Sequence, residues 1–346
     1  MNDSLSATLT HRVNVKPIDR TFEVQQDDTI LAAALKSGCQ LPYSCQNGIC
    51  GTCRAKVLDG VVDHAGSSMA ILSNEDRQQG YALLCQAKAL TALTIACEVV
   101  EATQDIPIRR LVSRVDRLER LAEDVMRIRL RLPAKESFRF LPGQYINVVM
   151  PGGIRRSLSL ANVPDDNVLE LHLRNYGGPF SQHVFNVMKE NDLVRLEGPL
   201  GTFFVREDSS KPMVFVASGT GFAPIKAMIE RELEKASSRE ITLYWGGRRA
   251  SDLYLSSVAE AWAKSHNITF IPVLSEAHPD DLWEGRVGFV HRAVMEDYED
   301  LSQHQVYACG APIVVQSARQ DFVALRNLPE EEFFADMFVS GQKTAQ

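Results

Sequence analysis

Cys45-Gln46-Asn47-Gly48-Ile49-Cys50-Gly51-Thr52-Cys53 places three thiols at the spacing C-x4-C-x2-C, a spacing at which thiolates hold a [2Fe–2S] cluster. Thiols this close in sequence converge on one point. Gly48 and Gly51 suit a loop wrapped around it, because without a Cβ their backbone N–H groups can approach cluster sulfurs. A fourth ligand has to come from elsewhere in the chain, and Cys85 in Leu83-Leu84-Cys85-Gln86 is the candidate. The competing readings are reduced thiols without a metal and a structural zinc site. Zinc ribbons present two separated C-x2-C pairs, and here only Cys50 and Cys53 form one. Seven cysteines in 346 residues, with no apolar signal core ahead of them, argue against a disulfide framework.

A chain of 346 residues has room for two or three domains. Its 45% hydrophobic and 23% charged residues are an ordinary globular balance. A net charge of −7 argues against nucleic-acid partners, which require a basic footprint. That charge is uneven: residues 1–103 carry 8 Lys/Arg against 11 Asp/Glu, residues 109–207 carry 16 against 12, and residues 208–346 carry 13 against 20. A basic middle segment suits a phosphate-bearing cofactor. Met1 to Thr10 are polar, and no apolar run approaches the ~18 residues of a spanning helix. The expectation is a cytoplasmic protein with no membrane partner.

Residues 11–26 read as two strands, with Val13 and Val15, then Phe22 and Val24, alternating with polar residues around a turn from Pro17 to Arg20. Thr29 can cap a short helix, Ile30 to Lys36, that stops at Gly38. The cysteine loop follows, then a strand at Ala55 to Leu58, a helix start at Ser73 and Asp76, and strands near Cys85 and at Leu93 to Val100. Hairpin, helix, metal loop and returning strands resemble the β-grasp plant-type ferredoxin domain over roughly residues 10–100. Leu41-Pro42-Tyr43-Ser44-Cys45 and Cys50-Gly51-Thr52-Cys53 carry the resemblance. It implies Cys45, Cys50, Cys53 and Cys85 as metal ligands, with Cys97 the alternative fourth. Cys39, outside the spacing, and Cys97, read as mid-strand, are taken as small buried hydrophobes. Glu101 to Ile108, containing Pro107, reads as a short linker.

In the middle segment, strands are expected at Val125 to Leu132, at Ile146 to Met150 after the turn Pro142-Gly143-Gln144-Tyr145, and at Val168 to Leu173. Many short strands with turn signals suggest a small antiparallel barrel. Pro142 to Tyr145 followed by Arg156-Ser157-Leu158-Ser159 resembles the ferredoxin–NAD(P)+ reductase superfamily, whose Arg-x-Tyr-Ser motif binds flavin. Leu158 stands where tyrosine is usual, which removes an aromatic ring from that position. A guanidinium offers a bidentate, permanently charged clamp for a pyrophosphate, the role the resemblance implies for Arg156. It places the Ser159 hydroxyl at the flavin edge that receives hydride, and it adds His172 and Arg174 to the cofactor-binding set. Gly177-Gly178-Pro179-Phe180-Ser181 precedes a helical run, Gln182 to Lys189. Free N–H groups there, with Gly178 and the Ser181 hydroxyl, form an anion site for the flavin phosphate or an ordinary helix cap. Gly198 to Phe203 reads as a structural turn closing the barrel.

The last segment opens with an apolar strand, Met213 to Ala217, then Ser218-Gly219-Thr220-Gly221-Phe222-Ala223-Pro224 and a helix from Ile225. Glycines between a buried strand and a helix let backbone approach a pyrophosphate, so Gly219, Thr220, Gly221 and Pro224 are assigned to the nicotinamide nucleotide. Strands at Ile241 to Trp245, Ile268 to Leu274 and Gln305 to Ala308 alternate with helices at Val258 to Lys264, Val290 to Glu296 and Ile313 to Arg326. That alternation argues for a parallel sheet covered on both faces. Cys309-Gly310-Ala311-Pro312 resembles the superfamily's Cys-Gly-x-Pro, implying nicotinamide contacts for Cys309, Gly310 and Pro312, with Cys309 beside the hydride path. Phe333 to Phe338 resembles the tail of oxygenase reductases, where the aromatic, here Phe338, lies near the flavin; a plain core strand is the alternative. Arg248 follows the second strand, where an arginine can hold a 2′-phosphate. NADH is expected, with NADPH left open.

The resemblance therefore implies a β-grasp ferredoxin domain (1–103), an antiparallel flavin-binding β-barrel (109–207) and a parallel-sheet nicotinamide-binding domain (208–346). It implies an NADH-dependent oxidoreductase that passes electrons through FAD and a [2Fe–2S] cluster to a terminal oxygenase or another metalloenzyme. The alternative within that class is a CDP-6-deoxy-glucoseen reductase of deoxysugar synthesis. The alternative outside it is a zinc-binding regulatory module without electron transfer.

Overall fold

Alternation of apolar and polar residues sets the first elements. In the computed structural model, which describes residues 9–150, 153–165 and 167–338, Thr10–Lys16 (β1) and Arg20–Gln25 (β2) form an antiparallel hairpin. Val13, Val15, Phe22 and Val24 are buried on one face. Most of the polar stretch Met1 to Thr10 lies outside the described residues. The Thr29 hydroxyl caps helix α1 (Ile30–Lys36), accepting the Ala32 N–H at 3.2 Å, and the chain leaves the helix through Gly38 at φ 78°. The elements that follow are β3 (Arg54–Asp59), β4 (Val62–Asp63), α2 (Asn74–Gln78), β5 (Tyr81–Leu83), β6 (Lys88–Ala89) and β7 (Leu93–Ala96). Ser73 and Asp76 close a full capping box at the start of α2. The sheet order is β2-β1-β7-β3-β5, with β1 and β7 parallel and the other pairs antiparallel.

Two expectations shift here. β5 ends at Leu83, so Cys85 lies in the turn beyond it, and Cys97 lies one residue past β7 instead of mid-strand. The expected linker is also shorter than read, since Glu101–Thr103 forms a 3-10 turn with Thr103 buried. Residues 1–107 make one compact unit and residues 108–346 a second.

The second unit begins with β8 (Arg109–Ala122), a long strand that the sequence reading did not anticipate. Its run of arginines and acids hides a weak alternation in which Ser113 and Val115 turn inward. It pairs antiparallel with β9 (Val125–Arg131). Next come β10 (Tyr145–Val149), β11 (Arg155–Ser159), β12 (Val168–Arg174), α3 (Pro179–Asn186) and β13 (Leu193–Leu200). The order β11-β10-β13-β8-β9-β12 is antiparallel throughout. A bridge from Leu160 to Leu171 joins the two edge regions and closes the barrel. Its interior is filled by residues such as Ile128, Leu130, Ile146, Val148 and Leu171.

The chain then alternates strand and helix: β14 (Met213–Ser218), α4 (Phe222–Glu234), β15 (Ile241–Gly247), α5 (Ser256–Ser265), β16 (Ile268–Leu274), β17 (Arg286–Val287), α6 (Val290–Asp297), β18 (Gln305–Gly310), α7 (Pro312–Leu325) and β19 (Phe333–Met337). All six strands are parallel, in the order β17-β16-β15-β14-β18-β19. The order reverses between β14 and β18, and a crevice opens outside the carboxyl ends of the strands at such a point. A 3-10 turn, Gly219–Gly221, leads directly into α4, which starts at Phe222, three residues before the expected Ile225. The Phe222 ring stacks on Trp245 with centroids 3.8 Å apart.

Barrel and parallel sheet share buried polar contacts. Lys226 on α4 donates to the Ala161 carbonyl at 2.9 Å and sits 3.4 Å from the Glu170 carboxylate. His172 lies between Tyr254 and Glu170, at 3.0 and 3.1 Å. Burial holds His172 neutral by lowering its pKa. The tautomer that satisfies both partners accepts from the Tyr254 hydroxyl at Nδ1 and donates from Nε2.

Candidate iron–sulfur, flavin and nucleotide sites

The loop between α1 and β3 carries Cys45, Cys50 and Cys53, and the turn after β5 brings Cys85 to it. The four thiols come as two hydrogen-bonded pairs, Cys45 with Cys50 and Cys53 with Cys85. Among the described residues, no group of three or more Cys, His, Asp or Glu side chains is gathered around a single point. Two pairs suit a binuclear cluster with two thiolates on each iron.

The hydrogen bond from Cys50, acting against burial and helped by backbone N–H groups of Asn47, Ile49 and Cys50, brings the Cys45 thiol down to about 6. Cys85 is brought down to about 7 by the bond from Cys53, against burial, with help from Gln86 and the Gly48 N–H. Thiolate character is what a metal ligand needs. Gly48 reaches Cys85 at φ 75°, and a Cβ there would lie 2.8 Å from the Gln86 side chain. Gln86 Nε2 in turn donates to the carbonyls of Gln46 at 3.2 Å and Cys85 at 3.0 Å, tying the fourth thiol to the loop. Cys39 is buried and Cys97 is half-buried. Burial first, then the neighbouring Cys39 and Glu98, push Cys97 up to about 12, so it stays a thiol.

On the barrel, β11 holds the flavin-motif residues. Arg156 is half-buried and has no hydrogen-bond or ion-pair partner among the described residues, and burial lowers its pKa. An uncompensated guanidinium at a strand end fits a pyrophosphate. Ser157 is exposed and donates to Asn147, Ser159 is buried opposite Tyr145, and Leu158 turns into the barrel core. Gly178 is the N-cap of α3. That helix starts at Pro179, earlier than expected, so Ser181 lies in its first turn and donates to the Gly178 carbonyl at 3.0 Å. His172 has both ring nitrogens engaged within the protein.

The crevice at the strand-order reversal is a cavity of about 1030 Å³. Of the residues expected there, Arg174, Gly219, Thr220, Arg248, Gly310, Pro312 and Phe338 line it. Gly221 and Pro224 lie behind it, at the start of α4, and are buried. Gly221 is required by close approach, because a Cβ there would sit 2.1 Å from the Cys309 carbonyl oxygen. Gly310, at φ 137°, meets Ser218 in the same way. Cys309 itself is fully buried in the core cluster with Phe215 and Tyr307, and burial followed by the Asp336 charge raises its pKa. It reaches the cavity wall through its backbone. Phe338 follows β19 and is held by its N–H on the Gly310 carbonyl at 2.8 Å.

Arg174 is buried, with Nη1 2.9 Å from Asp252 and Nη2 without a hydrogen-bond partner among the described residues. Arg248 lies 3.3 Å from Asp252, and Arg249 lies 2.6 Å from Asp281. Tyr176, Ser275, Phe289 and His291 also line the cavity and were missed by sequence reasoning. They sit outside every motif read in the sequence.

The sequence matches three family models: a 2Fe-2S iron-sulfur cluster binding domain over residues 13–90, an oxidoreductase FAD-binding domain over 113–205 and an oxidoreductase NAD-binding domain over 215–320. It is 41% identical over 330 residues to the CDP-6-deoxy-L-threo-D-glycero-4-hexulose-3-dehydrase reductase of Yersinia pestis, covering 94% of this chain and 98% of that one. It is 34% identical to the phenol hydroxylase P5 protein of Acinetobacter pittii, covering 96% and 95%. Among solved structures, the cytochrome P450 reductase of Amycolatopsis superposes with a TM-score of 0.76 at 35% identity, covering 96% of this chain and all of that one. No helix among the described residues is long and apolar enough to cross a membrane.

Proposed function

The chain belongs to the family of single-chain reductases that join 2Fe-2S, FAD-binding and NAD-binding domains, and from that premise we propose how its own residues divide the work. When bound, a flavin would supply the switch between two-electron hydride chemistry and single-electron transfer.

Cys45, Cys50, Cys53 and Cys85 hold the cluster, with Gln86 and the Gly48 N–H fixing Cys85. Arg156 clamps the flavin pyrophosphate, and the start of α3 at Gly178 and Ser181 receives its phosphate. Ser159 offers its hydroxyl to the ring. Tyr176, exposed at the cavity and close enough to act on Arg156, supplies an aromatic face where Leu158 does not. Gly219, Thr220 and Gly310 bring backbone against the nicotinamide nucleotide, and Phe338 covers the site from the end of β19. The division into residues 1–103, 109–207 and 208–346 is supported by the matched ranges, which fall inside those limits.

The acceptor is a metalloenzyme partner, read first as a terminal oxygenase because phenol hydroxylase and P450 systems supply relatives of full length. A dehydrase of deoxysugar synthesis is the second reading, favoured by the 41% identity to a dehydrase reductase. A cytoplasmic setting is supported by Cys39, Cys97 and Cys309, which stay thiols outside the cluster set, since a reducing compartment preserves thiols.

The observation that carries the reading is the pairing of Cys53 with Cys85, which completes a binuclear donor set. Cys85→Ser should lose the cluster and its cytochrome c reduction while keeping flavin and NADH–ferricyanide activity. If Cys97→Ser shows that loss and Cys85→Ser does not, the ligand assignment is wrong.

A further inference from the structure

Lys226 is a cation buried where neither cofactor site requires one. It lies on α4, and 10% of its side chain is exposed. An ammonium has three donors, and three oxygens surround this one: the Ala161 carbonyl at 2.9 Å, the Glu230 carboxylate at 2.9 Å and the Glu170 carboxylate at 3.4 Å. Glu230 belongs to α4 itself, one turn further on. Ala161 and Glu170 belong to the barrel, so those two contacts cross from the sheet to the barrel.

Both ends of that link lie next to a cofactor site. On the sheet side, α4 continues directly from the Gly219–Gly221 turn, whose Gly219 and Thr220 line the cavity. On the barrel side, Ala161 follows closely on Ser159, the last residue of β11, and its N–H donates to the Glu170 carbonyl at 2.8 Å. Glu170 also leads back to the same turn by a second route. Its carboxylate meets His172 at 3.1 Å, and His172 meets the Tyr254 hydroxyl at 3.0 Å. The Tyr254 ring stands edge-on to Trp245, whose Nε1–H donates to the Gly219 carbonyl at 3.1 Å. Flavin strand and nucleotide turn are thus joined in a ring of contacts that Lys226 and Glu170 close.

A buried ion pair adds little net stability, because desolvation offsets its attraction, and an apolar side chain of similar volume would pack as well. What an ammonium adds is direction, since its acceptors hold α4 in one position against the barrel. Hydride transfer is sensitive to position: a misplacement of about 1 Å costs about a hundredfold in rate. The flavin phosphates are assigned to Arg156, Gly178 and Ser181 on the barrel, and the nucleotide to Gly219, Thr220 and Gly310 on the sheet. Each is therefore held chiefly within its own lobe.

Resting on the reading that the barrel takes the flavin and the cavity the nicotinamide nucleotide, we propose that Lys226 is a positioning residue for hydride transfer. It fixes the strand that carries Ser159 against the turn that carries the nucleotide, and so governs the rate of flavin reduction while contributing to neither affinity.

The test compares wild type with Lys226→Met, Lys226→Met/Glu230→Gln and Glu230→Gln. Lys226→Met leaves two buried carboxylates without their cation; the double variant removes one of those charges and stands in if the single one does not fold. In the flavin-loaded proteins, stopped-flow reduction of the flavin by NADH should slow about a hundredfold in the Lys226 variants. Flavin retention and the dissociation constant for NAD+ should stay within about twofold, the split expected of a group that acts only on the chemical step. Glu230→Gln, which alters a contact inside α4, should keep its rate within about threefold of wild type on the same ground. In the flavin-free proteins, hydrogen–deuterium exchange at Leu160 to Asn162 and at Gly219 to Phe222 should quicken in the Lys226 variants alone. Unslowed flavin reduction in both Lys226 variants would overturn the inference and leave the reductase reading intact. Failure of both to fold would do the same, as would a parallel loss of rate, affinities and melting temperature, the mark of a merely structural lysine. A Glu230→Gln variant as slow as Lys226→Met would overturn it too. Wild type whose flavin NADH does not reduce would remove the reductase reading and this inference with it.

Discussion

Arg156 and Leu158 stand two residues apart on β11 and answer the same motif differently. Among the described residues Arg156 has no hydrogen-bond or ion-pair partner, and it is half out of water, a costly state unless an anion completes it. Leu158 belongs to the barrel core, so its side chain is accounted for by packing. The sequence pattern identifies both positions but cannot tell which faces a ligand, because a four-residue motif does not reveal which side of a strand meets the core. The cysteines were more legible, since three thiols within nine residues share one loop; their division into two pairs depends on where the turn after β5 lands. Arg156→Ala should weaken flavin binding about tenfold or more, from the roughly 2 kcal/mol of a charge-assisted hydrogen bond. Flavin fluorescence released on dilution reads this directly, and wild-type retention would remove Arg156 from the site.

At the scale of elements, the parallel sheet was read nearly strand for strand, because buried strands of Val, Ile and Leu alternating with amphipathic helices leave little ambiguity. β8 escaped notice because its outward residues are charged and its inward ones include Ser113. The early starts of α3 and α4 share one cause: Pro179 and Pro224 both sit inside a first turn, where a missing N–H costs nothing. The turn from β14 into α4 interlocks with the end of β18, with Gly221 against the Cys309 carbonyl and Gly310 against Ser218. That contact shapes the cavity wall, and it gives Cys309 a backbone role which its buried thiol does not suggest. Gly221→Ala should cost about 3 kcal/mol through overpacking, seen as a lower melting temperature together with weaker NADH binding. A variant with wild-type stability and nucleotide KM would show that the two turns do not constrain each other.

For the whole molecule, composition and spacing made the three cofactor-binding segments legible, while contacts between distant residues were not. The buried set of Glu170, His172, Lys226 and Tyr254 joins the barrel to the parallel sheet. Burial opposes ionisation of Glu170, yet the His172 hydrogen bond and the Lys226 charge outweigh it and bring the carboxyl down to about 2. No local pattern announces such a network, because Glu170 and His172 lie dozens of residues from the Lys226 and Tyr254 they meet.

The central claim is that one chain carries electrons from a nicotinamide nucleotide through flavin to a binuclear iron–sulfur centre. The direct measurement is an anaerobic absorption spectrum of the purified holoprotein, recorded before and after addition of NADH. The account predicts flavin bands overlaid on iron–sulfur charge-transfer absorption, both bleached by the nucleotide. A colourless protein containing stoichiometric zinc, with no change on addition of NADH, would contradict it.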